Sequence, residues 1–158
     1  MSHTLQVVGF QAGKEYFGVA ITAVQEIVRV PEVTRVPEAA WCVEGVINLR
    51  GRIVPVIDLK KRLRLGEASK TRQSRILVTN IEKQLVGLLV DAASEVLRIP
   101  AEAIEPPPEM LSGVGLEYIR GVGKVGDRLI ILLELSRILS PEEIRRSHMV
   151  PETVGSPS

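Results

Sequence analysis

Apolar positions come in short runs broken by small polar groups, too closely spaced for long helices. "LQVVGF" (5–10) and "YFGVAI" (16–21) flank the glycine-containing "QAGK", which reads as a hairpin. "RILVTN" (75–80) and "LVGLLV" (85–90) repeat this around "IEKQ". "VINL" (46–49) and "RIVPVI" (52–57) form another hairpin around Arg50-Gly51, with glycine at a position that needs positive φ. "TAVQEIVRV" (22–30) begins as a turn and continues as strand. Pro55 cannot donate a ladder bond, so its strand is expected to be an edge or bulged. Helix signals are few. Asp58 can cap "LKKRL" (59–63), and Ser140-Pro141-Glu142-Glu143 opens a C-terminal helix, expected over 140–149 before a frayed tail at 150–158.

The chain echoes itself. "VEGVINLRGRIVPVIDLKKRL" (43–63) aligns without a gap on "IRGVGKVGDRLIILLELSRIL" (119–139), placing Gly45 on Gly121, Arg52 on Arg128 and Asp58 on Glu134. "GVAITAVQEIVRVP" (18–31) aligns on "GLLVDAASEVLRIP" (87–100), placing Gly18 on Gly87, Glu26 on Glu95 and Arg29 on Arg98. Two matched blocks in the same order predict two lobes of one topology, 4–65 and 75–139, joined by the polar stretch 66–74. About five short strands per lobe predict a mainly all-β chain of two small barrels.

Composition narrows the function. Of 158 residues, 45% are hydrophobic and 25% charged, so a packed core is expected. The net charge of +1 and the 3% aromatic content speak against a nucleic-acid surface and its stacking platforms. The single cysteine, Cys42, reads as a small core hydrophobe in a reducing compartment. The start of the chain lacks a signal-peptide pattern, and no apolar run approaches the roughly 18 residues of a membrane span. A soluble cytoplasmic protein without membrane insertion is expected.

Catalytic signals are sparse. His3 and His148 have no partners at metal-ligand spacing, and GxSxG, HExxH, P-loop and helix-opening GxGxxG patterns are missing. Asp91 and Glu95 could serve as acid and base, but they stand where the first repeat has a surface turn. "KKRLRL" (60–65) is the one dense basic run; on a helix Leu59 and Leu63 face inward and the charges face water. Trp41 fits either a core or an interface. No enzyme, cofactor or metal site is expected. A chemistry-poor β protein of this kind works through its surface, as a binding module or scaffold. A small β-barrel nucleic-acid binder using Lys60 to Arg64 is the reading from a different class.

"VEGVINLRGRIVPVIDL" resembles the hallmark segment of the CheW family, the coupling proteins of bacterial chemotaxis. The pattern is carried by Gly45, Asn48, Leu49, Arg50, Gly51, Pro55, Val56, Asp58 and Leu59. "ITAVQEIVRVPEVTRVP" resembles the family's earlier segment, and "LVGLLVDAASEVLRI", "IEPPPE" and "YIRGVGKVGDRLIILLEL" its second half, so the resemblance covers about residues 4 to 147. It implies two five-stranded SH3-like barrels side by side with a C-terminal helix. It also implies a non-enzymatic adaptor between the cytoplasmic tip of methyl-accepting chemoreceptors and the regulatory domain of the histidine kinase CheA, recruited to receptor arrays at the inner membrane. The length leaves no room for a phosphotransfer, ATP-binding or receiver domain, so a freestanding adaptor is expected. Carried over by position, Arg50, Val24, Asn48 and Gly51 are expected to serve receptor binding, and Glu26 and Ile27 kinase binding. Gly45 and Gly87 are expected to maintain the backbone geometry that coupling needs. A scaffold of the same fold in another motility or developmental kinase pathway is the alternative.

Overall fold

A computed structural model of the chain describes residues 3–37, 42–66, 70–106 and 118–138, with backbone alone at 94 and 95. The strands are β1 (Thr4–Ala12), β2 (Glu15–Ala20), β3 (Val24–Arg29), β4 (Val43–Leu49), β5 (Arg52–Asp58), β6 (Arg75–Ile81), β7 (Gln84–Val90), β8 (Ala92–Pro100), β9 (Ile104–Glu105), β10 (Ile119–Val125) and β11 (Arg128–Leu133). Two short helices, α1 (Leu59–Arg62) and α2 (Leu135–Ile138), follow β5 and β11. The mainly all-β expectation holds. The expected C-terminal helix and tail, Trp41 and His148 lie outside the described residues.

The sheets do not follow the sequence halves. One runs β8-β1-β2-β11-β10-β9 and the other β3-β6-β7-β5-β4. The lobes 4–65 and 75–139 are therefore corrected: the second sheet is continuous from β3 to β7, while the first unites the two ends of the chain. The repeat itself is preserved in the strand order. β1 and β2 stand where β6 and β7 stand in the other sheet, β8 where β3 stands, and β10 and β11 where β4 and β5 stand. Parallel pairs close both orders, β2 with β11 (Phe17 opposite Ile131) and β7 with β5 (Gly87 opposite Val56). The sixth strand of the larger sheet is the two-residue β9, whose counterpart is a single bridge between Thr34 and Val46. Each repeat thus lends its first hairpin to the other repeat's remaining strands.

Packing explains why hairpins are exchanged. Ile47, Val54, Val56, Ile76 and Val78 cluster within the β3–β7 sheet. Val7, Ile99, Ile130 and Leu132 cluster within the other sheet. A third and larger cluster draws on both: Val8, Phe10, Phe17 and Val19 meet Leu77, Val86, Leu88 and Val90. Successive residues of a strand point to opposite faces, so β1, β6 and β7 bury both faces and read as unbroken apolar runs. Phe10 and Phe17, 5.7 Å apart in stacked geometry, anchor the shared core. Cys42 is fully buried in that same cluster, consistent with its reading as a core residue.

Two local expectations change. Pro55 lies neither at an edge nor at a bulge: β5 is interior, and the register shift is in β4, between Val43 and Gly45. The parallel ladder to β7 starts only at Val56, after the residue that lacks an N–H. The basic run around α1 is not simply a solvated face either. Leu59 and Leu63 are buried as expected, but Lys60 lies 3.6 Å from Asp91, and Arg62 Nε donates to the carbonyl of Ile138 at 2.5 Å. These contacts tie α1 to the β7–β8 junction and to α2, which removes charge from any nucleic-acid face.

Asp58 caps α1 as the sequence suggests, its Oδ1 accepting from Lys61 N–H at 3.3 Å. The residue is nearly fully buried. Asp58→Ala is expected to cost about 1–2 kcal/mol, and Asp58→Ser, which keeps a cap acceptor, distinctly less. Urea denaturation of the two variants would measure the difference, and equal losses would remove the cap from the explanation.

Candidate functional site

The β4–β5 hairpin closes with Leu49 opposite Arg52, leaving Arg50 and Gly51 as a two-residue loop. Both have positive φ, 52° and 87°, as the tight turn that matches strand twist requires. The backbone N–H of Gly51 donates to Asn48 Oδ1 at 2.8 Å. Asn48 thus builds the turn, and Gly51 supplies a conformation an L side chain resists. The matching turn in the second repeat uses positive φ at Gly126 alone, 62°, so the two hairpins present their tips differently.

Arg50 projects from this turn with 69% of its side chain exposed. Its Nη2 donates to Glu26 Oε2 on β3, forming an ion pair. β3 and β4 stand at opposite ends of the strand order, so the pair joins the two edges of the β3–β7 sheet. The hydrogen bond to Glu26 first, and its charge second, raise the Arg50 guanidinium above its ordinary range. Arg50 therefore stays a fixed cation at any physiological pH.

The other expected site residues divide by environment. Ile27 follows Glu26 on β3 and is 41% exposed. Val24 is half-buried and packs against the core shared by the sheets, so it is not an open contact. Gly45 is held by sterics: a Cβ there would lie 2.2 Å from the carbonyl oxygen of Thr34, at φ 154°. At Gly87 a Cβ would lie 2.8 Å from the Ile76 side chain. Both glycines mark close approaches within the sheet rather than accessible surface.

The structure also assembles what the sequence did not reveal. The Arg50–Glu26 pair unites residues that the resemblance assigned to different partners. Exposed apolar side chains recur at equivalent positions of the repeat: Ile27 with Val96, and Ile53 with Leu129. Each sheet thus shows a similar apolar pair to solvent, and the ungapped alignment was the signal that could have found it.

Of the acid-base candidate, Asp91 makes structural contacts. Asp91 Oδ2 accepts from the Gly13 backbone N–H at 2.7 Å and faces Lys60. The side chain of Glu95 is outside the described part. Among the described residues, no three His, Cys, Asp or Glu side chains gather as metal ligands would. Nor is any described helix long and apolar enough to cross a membrane.

Comparison with known proteins gives a consistent result. A model of the CheW-like domain matches residues 6–143. The chain is 36% identical over 145 residues to "Chemotaxis protein CheW" of Treponema pallidum (strain Nichols), covering 89% of this chain and 85% of that protein. It is 38% identical over 135 residues to "Chemotaxis protein CheW" of Klebsiella aerogenes, covering 85% and 81%. The crystal structure of scaffolding protein TtCheW from Thermoanaerobacter tengcongensis superposes with a TM-score of 0.81 at 38% identity, covering 89% of this chain and 96% of that one.

Proposed function

The chain belongs to the CheW-like family of chemotaxis scaffold proteins, and from that premise we propose that it is a non-enzymatic adaptor. It joins the cytoplasmic tip of a methyl-accepting chemoreceptor to the regulatory domain of the histidine kinase CheA, and is recruited from the cytoplasm to receptor arrays. The observation that carries this reading is the exposed Arg50, set on a two-residue turn and ion-paired to Glu26. A guanidinium offers a rigid fork of donors that suits carboxylates and carbonyls at a helical tip. Ile27, on β3 and on the face opposite Glu26, offers exposed apolar area of the kind that anchors an interface.

The ion pair gives the adaptor a physical route for coupling. A receptor group that engages Arg50 must compete with Glu26 or share the guanidinium with it. Either event alters the charge presented on β3, next to the surface assigned to the kinase. Gly45 and Gly87 act at one remove, Gly45 keeping β4 close to Thr34 and Gly87 keeping β7 close to β6. Val24, the first residue of β3, contributes by holding that strand against the shared core.

The test is capture of the purified protein on an immobilised receptor tip, on the kinase regulatory domain, and on both together. Capture by each bait, and a ternary complex when both are present, is the expected result. Mutually exclusive capture would sink the adaptor role. Failure on both baits with the fold intact would move the protein to a different kinase pathway.

A further inference from the structure

A second charged feature lies on β3, away from the Arg50 turn. A cleft of about 500 Å³ is lined by Arg29, Val30, Thr71, Arg72 and Ser74. Arg29 is the register partner of Arg75 across the β3–β6 ladder. Directly opposed side chains on antiparallel strands sit roughly 5 Å apart, where like charges repel. Arg75 is held in the adjoining turn, its Nη1 donating to the carbonyls of Arg72 and Ser74, both at 2.7 Å. That turn is braced by Thr71 N–H donating to Ser74 Oγ at 2.9 Å and by Gln73 N–H donating to Thr71 Oγ1 at 3.1 Å. Arg29 and Arg72 thus line the cleft on a braced rim, and Arg75 stands opposite Arg29 in the ladder beside it. The ion pairs among the described residues involve Arg50, Lys60 and Lys70, none of these three arginines.

The repeat supplies an internal control. The equivalent cleft on the other sheet includes Thr4, Leu5, Gln6 and Arg98. There the register partner of Arg98 is Gln6. The fold is thus satisfied with one arginine and a neutral partner at this place. An arginine opposite Arg29 is therefore not required by the ladder itself, and an acidic ligand would relieve the repulsion expected of like charges there.

We propose that the cleft lined by Arg29 and Arg72, with Arg75 beside it in the ladder, is a docking site for an acidic segment of a protein partner, with at least two carboxylates. Planar guanidinium forks on adjacent strands match successive Asp or Glu side chains with charge-assisted hydrogen bonds. The patch is too small, and the chain too nearly neutral and too poor in aromatics, for a nucleic-acid track. Ile27 lies two residues before Arg29 on β3 and is exposed, so a bound segment has apolar surface beside the charges. This site stands independently of which proteins the Arg50 turn meets.

The test is fluorescence anisotropy of a labelled oligoglutamate peptide titrated with the full chain at low and high salt. Competitors are oligoglutamine, inorganic phosphate and duplex DNA. The double variant Arg29→Gln/Arg75→Gln is compared with Arg98→Gln, and circular dichroism checks the fold of each. The Arg75→Gln change supplies on β6 the neutral side chain that Gln6 already supplies opposite Arg98 in the other sheet, so folding is expected to survive. The expected result is salt-sensitive peptide binding that weakens about tenfold or more in the double variant and is unchanged in Arg98→Gln. Absence of peptide binding would overturn the proposal. So would equal loss in Arg98→Gln, or displacement of the peptide by phosphate or DNA at lower concentration than unlabelled oligoglutamate.

Discussion

Arg50→Glu is expected to abolish capture by the receptor tip, a loss on the order of a hundredfold in affinity, while the protein stays folded. The side chain lies in solvent at a hairpin tip and no core residue leans on it. Glutamate meets the same positive φ of 52° that arginine already tolerates, so the turn loses little. Reversal does two things, however. It removes the cation, and it sets a second carboxylate against Glu26, a repulsion that pushes β3 away from the turn. Arg50→Gln removes the cation without that repulsion and is expected to lose most of the binding as well.

The charge swap Glu26→Arg with Arg50→Glu separates the remaining explanations. It restores an ion pair between the same two positions with the polarity reversed. If receptor capture returns, the pair matters as a brace between the edges of the β3–β7 sheet. If capture stays lost while the thermal unfolding midpoint matches the parent, Arg50 itself meets the receptor, as proposed. Kinase capture by the swapped protein reports on Glu26 in the same way. Normal receptor capture by Arg50→Glu alone would end the assigned role without need of the swap.

Much of this was legible from local pattern. The alternation of short apolar runs placed the hairpins, and the ungapped repeat predicted two equivalent lobes. The Asn-Leu-Arg-Gly segment singled out the turn, because a two-residue loop with glycine at its second position is specified by neighbours along the chain. What escaped was set by distant pairing. A repeat says which segments are alike, and leaves open which copy of a hairpin joins which sheet. The exchange of β1–β2 is decided by the core shared between sheets, where Val8 and Phe10 meet Leu77 and Val86. The clue was the lack of polar alternation in β1, β6 and β7, the sign of strands covered on both faces. The Arg50–Glu26 pair was hidden for the same reason, since it spans opposite ends of a strand order that sequence does not reveal. Lys60 and Arg62 read as solvated charges because their partners, Asp91 and the Ile138 carbonyl, come from elsewhere in the chain.

Gly45→Ala is expected to produce the largest stability loss of any conservative change at the site, at least about 3 kcal/mol. The added methyl would sit 2.2 Å from the Thr34 carbonyl oxygen and 2.8 Å from its carbon. That carbonyl accepts from Val46 N–H at 2.8 Å, and Thr34 N–H donates to the Val46 carbonyl at 2.9 Å. Relief of the clash therefore pushes away the backbone that pairs with β4 and strands two hydrogen bonds, on top of the strain at φ 154°. A backbone neighbour cannot rotate aside as a flexible side chain can. The repeat ranks the alternatives. At Gly121 the equivalent Cβ meets the Glu105 carbonyl at 2.9 Å, and at Gly87 it meets the Ile76 side chain at 2.8 Å. Both are expected to cost about 1–3 kcal/mol, because the neighbour has less far to move or is a side chain. Gly51→Ala meets nothing within 4 Å and bears only the φ penalty, about 1–2 kcal/mol. Denaturant unfolding of the four variants should return Gly45→Ala as the least stable and Gly51→Ala as the most. A Gly45→Ala protein as stable as Gly51→Ala would mean that the Thr34 bridge yields freely, and that Gly45 does not act on coupling through the placement of β4.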